Sequence, residues 1–233
     1  MKGLFFKDFQ HTYMPLIFEE IYLDQVYKPY FEEKDNNIVL DIGANIGLFT
    51  WYAHDKAKKI YSLEPAKEHF EILDYMIKYN KMNNVVPVKQ AIGIKNGKQD
   101  LYHCSNSTMY SLMKGVLTNN EKKDKVQEKE IVDVVTIDKF LKENKIDKVD
   151  FMKLDIEGLE SEIIEGSAFE SISSRIKTIV GEWHSWNGRN PDRTATALMD
   201  YGFDFKWILT QGAKHQSKLF VAERKVEAYE KKA

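Results

Sequence analysis

Carboxylates close four apolar runs of this chain: Asp41 after Ile38-Val-Leu, Glu64 after Ile60-Tyr-Ser-Leu, Asp155 after Phe151-Met-Lys-Leu, and Glu182 after Ile179-Val-Gly, with His184 two places further on. Short runs of this kind lie inside parallel sheets, and open α/β sheets bind their ligands beyond the carboxyl ends of the strands. The four acids and the histidine are therefore expected along one edge. Between Asp41 and the next helix stand Gly43, Asn45 and Gly47, residue types that accept crowded or left-handed backbone. Such a turn leaves amide groups facing outward, with room for a ligand against the backbone. Glu64 follows Asp41 by 23 positions, close to the roughly 20-residue spacing at which an acid reaches the ribose hydroxyls of an adenosine cofactor.

Dinucleotides and S-adenosylmethionine (SAM) both carry adenosine, and Asp41 separates them. A carboxylate two residues before the first glycine repels a pyrophosphate but suits an amino-acid ammonium, directly or through water. That favours SAM over an NAD-linked oxidoreductase. Methyl transfer from a sulfonium asks the protein to place the acceptor and, where needed, remove its proton, and Asp155, Glu157 and His184 are the candidates for that base. Each has a plainer role beside the chemical one. Asp155 could cap the following helix or hold a cofactor amine, Glu157 could answer the helix dipole, and His184 could be a core histidine. The tryptophans flanking His184, Trp183 and Trp186, and Tyr110 could form a sugar-stacking wall or simply be core. No tight metal-ligand spacing occurs, so a metal-free site is expected; the metal-assisted alternative places Mg2+ on Asp155, Glu182 and His184. Zinc is poorly served by one cysteine, Cys104, and no paired histidines.

The elements that must position these groups follow from patterning. The 233 residues suffice for one α/β domain, with residues 1–36 as an N-terminal helical cap, residues 93–136 as a hairpin insertion and residues 223–233 as a charged tail. Strands are expected at 38–41, 59–64, 85–92, 131–137, 149–155, 175–182, 203–209 and 216–222. Helices are expected at 48–53, 66–81, 138–144, 157–169 and from Asn190-Pro191 to Gly202. Pro87 marks its strand as an edge or a start, because proline cannot donate to a central ladder. Asn96-Gly97 predicts that residues 93–105 run out and back, and the mixed-charge run at 121–130 reads as solvated.

With 34 basic and 36 acidic residues there is no global field to draw nucleic acid. Small or neutral partners are expected instead. The chain holds no apolar run approaching the ~18 residues of a membrane span, and its N-terminal apolar stretch is too short for a signal peptide, so a cytoplasmic protein is expected. An N-methyltransferase acting on a macromolecule is the competing enzyme reading, against which stand the missing Asn/Asp-Pro-Pro-Tyr/Phe tetrad and basic arm. A SAM-binding subunit without catalysis is the non-enzymatic one.

Taken together, Val39-Leu-Asp-Ile-Gly-Ala-Asn-Ile-Gly-Leu-Phe-Thr50, Glu64-Pro65, Ala91-Ile-Gly93, Val135-Thr-Ile-Asp138 and Met152-Lys-Leu-Asp-Ile-Glu-Gly158 resemble the FkbM family of SAM-dependent methyltransferases, from about Glu19 to Glu182. The resemblance implies a class I fold: α/β, doubly wound, with a mostly parallel seven-stranded Rossmann-like sheet and an antiparallel last strand. It implies an O-methyltransferase acting on hydroxyls of a small-molecule or saccharide acceptor, a sugar or a natural product. By position, Asp41, Gly43, Asn45 and Gly47 would line the methionine part of SAM, Glu64 the ribose, Gln90 and Ala91 the adenine, and Asp155 the transferred methyl.

Overall fold

The computed structural model describes residues 14–31, 34–103, 110–113, 128–184, 190–208 and 217–225. Its centre is a seven-stranded sheet of order β3-β2-β1-β7-β8-β10-β9. The strands are β1 (Lys34–Ile42), β2 (Ala57–Leu63), β3 (Val85–Val88), β7 (Val149–Leu154), β8 (Ile176–His184), β9 (Phe203–Ile208) and β10 (Ser217–Arg224). Neighbours among β3, β2, β1, β7 and β8 pair in parallel. β10 runs antiparallel to both β8 and β9. The last strand in sequence is thus inserted one place in from the edge, and β9 forms the border.

Alternation along the buried strands divides the core in two. Leu40, Ile42, Met152 and Leu154 face one layer with α4 (Ile137–Glu143), α5 (Glu160–Ile164) and α6 (Ser167–Ser173), whose Phe140, Ile164 and Phe169 fill it. Val39, Phe151 and Val180 face the other, against Phe49 of α2 (Leu48–Ala53) and Leu73 and Met76 of α3 (Lys67–Tyr79). Asp41, Lys153 and Asp155 share this second face by the same parity. Among the described residues, the N-terminal cap runs from α1 (Met14–Phe18) through a π-helical turn over Glu19–Leu23 into turns through Tyr30. Aromatic contacts dock it here: Tyr27 lies 4.7 Å from Phe49 and Phe31 lies 4.9 Å from Phe151, centroid to centroid.

Three expectations change. The single strand foreseen at 85–92 is two: β3 is the edge strand that Pro87 allows, whereas β4 (Ala91–Ile92) leaves for a second, three-stranded sheet. That sheet has the order β4-β6-β5, with β5 (Gly97–His103) and β6 (Glu128–Val135) antiparallel and β4 parallel to β6. Asn96-Gly97 does turn the chain, but β6 enters between the two arms, so they do not pair with each other. The turn is held by that strand's end, where the Thr136 amide donates to the Asn96 side chain at 3.0 Å. Third, the helix foreseen at 157–169 starts only at Glu160 and breaks into α5 and α6 around Gly166.

The helix α7 (Pro191–Asp200) starts as its sequence signal requires, the Asn190 side chain accepting the Asp192 amide at 2.9 Å. The charged tail is anchored at its root: Arg224 is buried and donates to the carbonyls of Ile176, Tyr201 and Ser173. Residues 226–233 of the tail, most of the charged run at 121–130, and Cys104 lie outside the described residues.

Candidate active site

β1 delivers the chain into a turn braced from two sides. The Gly43 and Ala44 amides both donate to the Leu63 carbonyl, at 3.1 and 2.9 Å. Gly43 has φ +80°, and a Cβ there would lie 1.7 Å from the Asp155 carbonyl oxygen, so no other residue fits against β7. Asn45 also sits left-handed, at φ +50°, and its side-chain oxygen accepts the Ile46 amide at 2.7 Å. Its amide contributes to the turn as well, because it donates to Glu64 Oε2 at 2.9 Å while the Ala66 amide donates to Oε1 at 2.9 Å. Glu64 therefore ties together the turns after β1 and β2. Each carboxylate oxygen can accept a second hydrogen bond, so this brace leaves capacity for a diol. Gln90 is half-buried and Ala91 buried just beyond β3.

Asp41, whose position suggested a role toward a cofactor ammonium directly or through water, lies behind the glycine turn. It is fully buried, and its carboxylate receives the Thr50 hydroxyl at 2.6 Å, Thr50 in turn being 2.7 Å from the Ser62 hydroxyl. Register supplies its counter-charge: Asp41 pairs across the ladder with Lys153, whose Nζ lies 3.7 Å from Oδ1. The same ammonium donates to the Gly43 carbonyl at 2.9 Å and to Asp155 Oδ2 at 3.2 Å. Burial alone pulls the Lys153 pKa down, but Asp155 and Asp41 outweigh it and hold the group charged. Burial pushes the Asp41 carboxyl up, opposed by Lys153 and the Thr50 bond. Asp41 thus acts on the glycine turn from behind, through Lys153. Sequence reading assigned Lys153 no role, although its parity with Asp155, just past the end of β7, was available.

The second cluster gathers around His184. Glu160 is buried and its Oε1 accepts the Ile156 and Gly158 amides, each at 3.1 Å. His184 Nδ1 lies 3.0 Å from the same oxygen, so the ring donates there and Nε2 is directed the other way. Nε2 meets Glu157 Oε2 at 3.2 Å and Glu182 Oε1 at 3.8 Å. Ligand atoms of Asp155, Glu157 and His184 all fall within 4.8 Å of one another, a set that could hold a divalent cation. Glu157 takes the place that sequence reading gave to Glu182. Nor is Glu157 in a first helical turn: it adopts φ +58° ahead of α5, a conformation that costs a non-glycine residue on the order of 1 kcal/mol.

A backbone carbonyl of Asp155 against the glycine turn, and its carboxylate against the His184 cluster, make the two assemblies neighbours on one sheet edge. It is this edge that comparison with known proteins covers. The methyltransferase FkbM domain matches residues 41–205. The chain belongs to the FkbM methyltransferase family. Methyltransferase sdnD of Sordaria araneosa is 26% identical over 89% of each chain. The fold is also that of a putative methyltransferase from Streptococcus mutans in complex with SAH, with TM-score 0.52, 11% identity and coverage of 88% of this chain and 97% of that one. It matches magnesium protoporphyrin IX methyltransferase from Synechocystis PCC 6803 with bound SAM at TM-score 0.51 and 10% identity, over 90% of this chain and 79% of that one. The doubly wound sheet is accordingly a Rossmann-like methyltransferase sheet. Among the described residues no helix is long and apolar enough to cross a membrane.

The cap brings this FkbM domain a further acid that sequence reading passed over. Glu20 is half-buried, and burial together with the charges of Glu182 and Asp155 pushes its carboxyl up to about 8. A folded pKa raised from the ordinary 4.5 means that the folded state binds more protons than the unfolded chain between about 4.5 and 8. Stability is then expected to fall as pH rises through that window. Glu20→Gln should flatten this slope, as melting temperatures measured at pH 5 and pH 8 would show.

Two of the aromatic candidates belong to the framework. Trp183 is buried, with its indole N–H 2.8 Å from the Ser161 hydroxyl. Tyr110 stacks between His69 and His103, 4.7 and 4.1 Å away. The third, Trp186, lies outside the described residues.

Proposed function

We propose that the protein is a SAM-dependent O-methyltransferase acting on a hydroxyl of a small or carbohydrate-like acceptor. The observation that carries this reading is the contact of Gly43 with Asp155, which sets a nucleoside-type turn directly beside a carboxylate-held histidine. Gly43, Asn45 and Gly47 would hold the methionine part and Glu64 the ribose, with Gln90 and Ala91 at the adenine. Bound there, SAM supplies an electrophilic methyl group; the chain contributes placement and proton management. Asp155, fixed by Lys153, would border the methyl. His184 takes the acceptor's hydroxyl proton at Nε2, while Glu160 on Nδ1 sets the ring's orientation and stabilises the imidazolium.

The carboxylate-rich rim of Asp155, Glu157 and Glu182 suits an acceptor that donates hydrogen bonds, as a polyol does, and is unsuited to a phosphate backbone. This supports a small or saccharide acceptor rather than nucleic acid. No step here needs a metal. Dialysis against EDTA distinguishes the magnesium-assisted variant: turnover lost on chelation and restored by Mg2+ would place the ion on Asp155, Glu157 and His184.

The cofactor assignment is tested by calorimetric titration with SAM, S-adenosylhomocysteine and NAD. Saturable binding of the first two is expected, and binding of NAD alone would overturn the reading. Glu64→Ala removes the diol contact and two turn hydrogen bonds, and should weaken SAM by ~10–100-fold, the equivalent of about one charged hydrogen bond. Unchanged affinity would remove Glu64 from the site.

A further inference from the structure

The insertion between β4 and β6 has so far contributed no chemistry, yet it sends one buried hydroxyl into the acceptor side of the site. Ser111 is fully buried and donates to the Glu157 carbonyl at 2.7 Å. Its own backbone exchanges both hydrogen bonds with Tyr102 of β5, at 2.8 and 3.1 Å, so the hydroxyl is fixed to the second sheet rather than carried on the turn it touches. The turn needs such support. Glu157 and Gly158 follow each other in left-handed geometry, at φ +58° and +115°. Glu160 holds the amides on either side of Glu157, and Ser111 holds the carbonyl between them. A non-glycine residue persists in that conformation when its surroundings over-determine it.

We propose that Ser111 is a positioning residue for methyl transfer, fixing the Glu157 turn so that its carboxylate faces His184 Nε2. This rests on the reading of Glu157 and His184 as the acceptor side of the site. Loss of the Ser111 hydroxyl releases the carbonyl, lets the Glu157 peptide relax, and separates the Glu157 carboxylate from the ring. The cofactor turn, tied by Glu64 and Lys153 instead, stays as it is.

The test needs no acceptor. In protein labelled with 15N-histidine, the ring signals of His184 are identified by their loss in His184→Gln and read at fixed pH, with S-adenosylhomocysteine affinity measured alongside by calorimetry. Glu157→Gln serves as the reference change. Ser111→Ala is expected to displace the His184 ring signals in the same direction as Glu157→Gln, with S-adenosylhomocysteine affinity held within about twofold. Ser111→Cys, which keeps the shape and a weak donor, should give a smaller displacement in that direction, and it carries the test alone should the alanine variant not fold. His184 signals unmoved by both Ser111 changes, where Glu157→Gln moves them, would overturn the proposal and leave the proposed function standing. Displacement accompanied by an equal loss of cofactor affinity would also overturn it, as a general effect on packing. If Glu157→Gln itself leaves the ring unmoved, the Glu157–His184 contact is wrong and the acceptor-side reading falls with it.

Discussion

Replacing His184 by glutamine is expected to lower methyl transfer by ~10²–10⁴-fold, the usual contribution of a positioned general base, with SAM affinity within about twofold of the parent. Glutamine preserves most of the side-chain volume and can still donate to Glu160, so the change isolates proton transfer from packing. The pH dependence sharpens the expectation. Burial would lower the His184 pKa, but Glu157, Glu160 and Glu182 overcome it and hold the ring well above its ordinary value; burial likewise raises Glu157. The pair therefore retains a proton at neutral pH. A base that must first lose this proton makes kcat/KM climb as pH rises above neutral, and His184→Gln should abolish that rise along with the rate. A variant that kept the parental profile at reduced amplitude would assign the titration, and the base, to another group.

Lys153→Met should destabilise the fold by ~3–5 kcal/mol, the cost of leaving a buried charge without its partner. Lys153 is the cation beside the fully buried Asp41 and satisfies the Gly43 carbonyl and Asp155 in the same gesture. Methionine fits the space but supplies no charge and no donor. Urea unfolding at neutral pH measures the loss, which corresponds to a fall in melting temperature of roughly 6–20 °C for a domain of this size. Asp41→Asn in the same background should recover part of it, since a neutral amide removes the stranded charge. A loss below about 1 kcal/mol in the single variant would show that Asp41 is compensated in some other way.

How far this architecture could be read from the chain depended on the range of the interactions. Strand-end acids and glycine spacing are local, and they anticipated that these groups share one edge of the sheet, with Glu64 near the glycine turn and His184 near Asp155. What escaped was set by contacts distant in sequence. β4 and β5 both pair with β6, some forty residues on from the Asn96-Gly97 turn, and no local pattern announces that the strand will enter between them. Lys153 looked like one lysine among many until register set it beside Asp41. Glu157 carries no signal in its residue type for a left-handed turn, so a helix was drawn through it. Glu160 was taken as part of that helix, although its carboxylate orders the turn and orients the histidine.

The decisive assay offers tritiated-methyl SAM to matched acceptors that differ only in bearing a hydroxyl or an amine, across sugars, glycolipids and polyketides, and identifies the product. The proposed function predicts label transferred to oxygen, forming a methyl ether. Label on nitrogen, or tight SAM binding with no acceptor accelerating its turnover, would contradict the proposed hydroxyl chemistry.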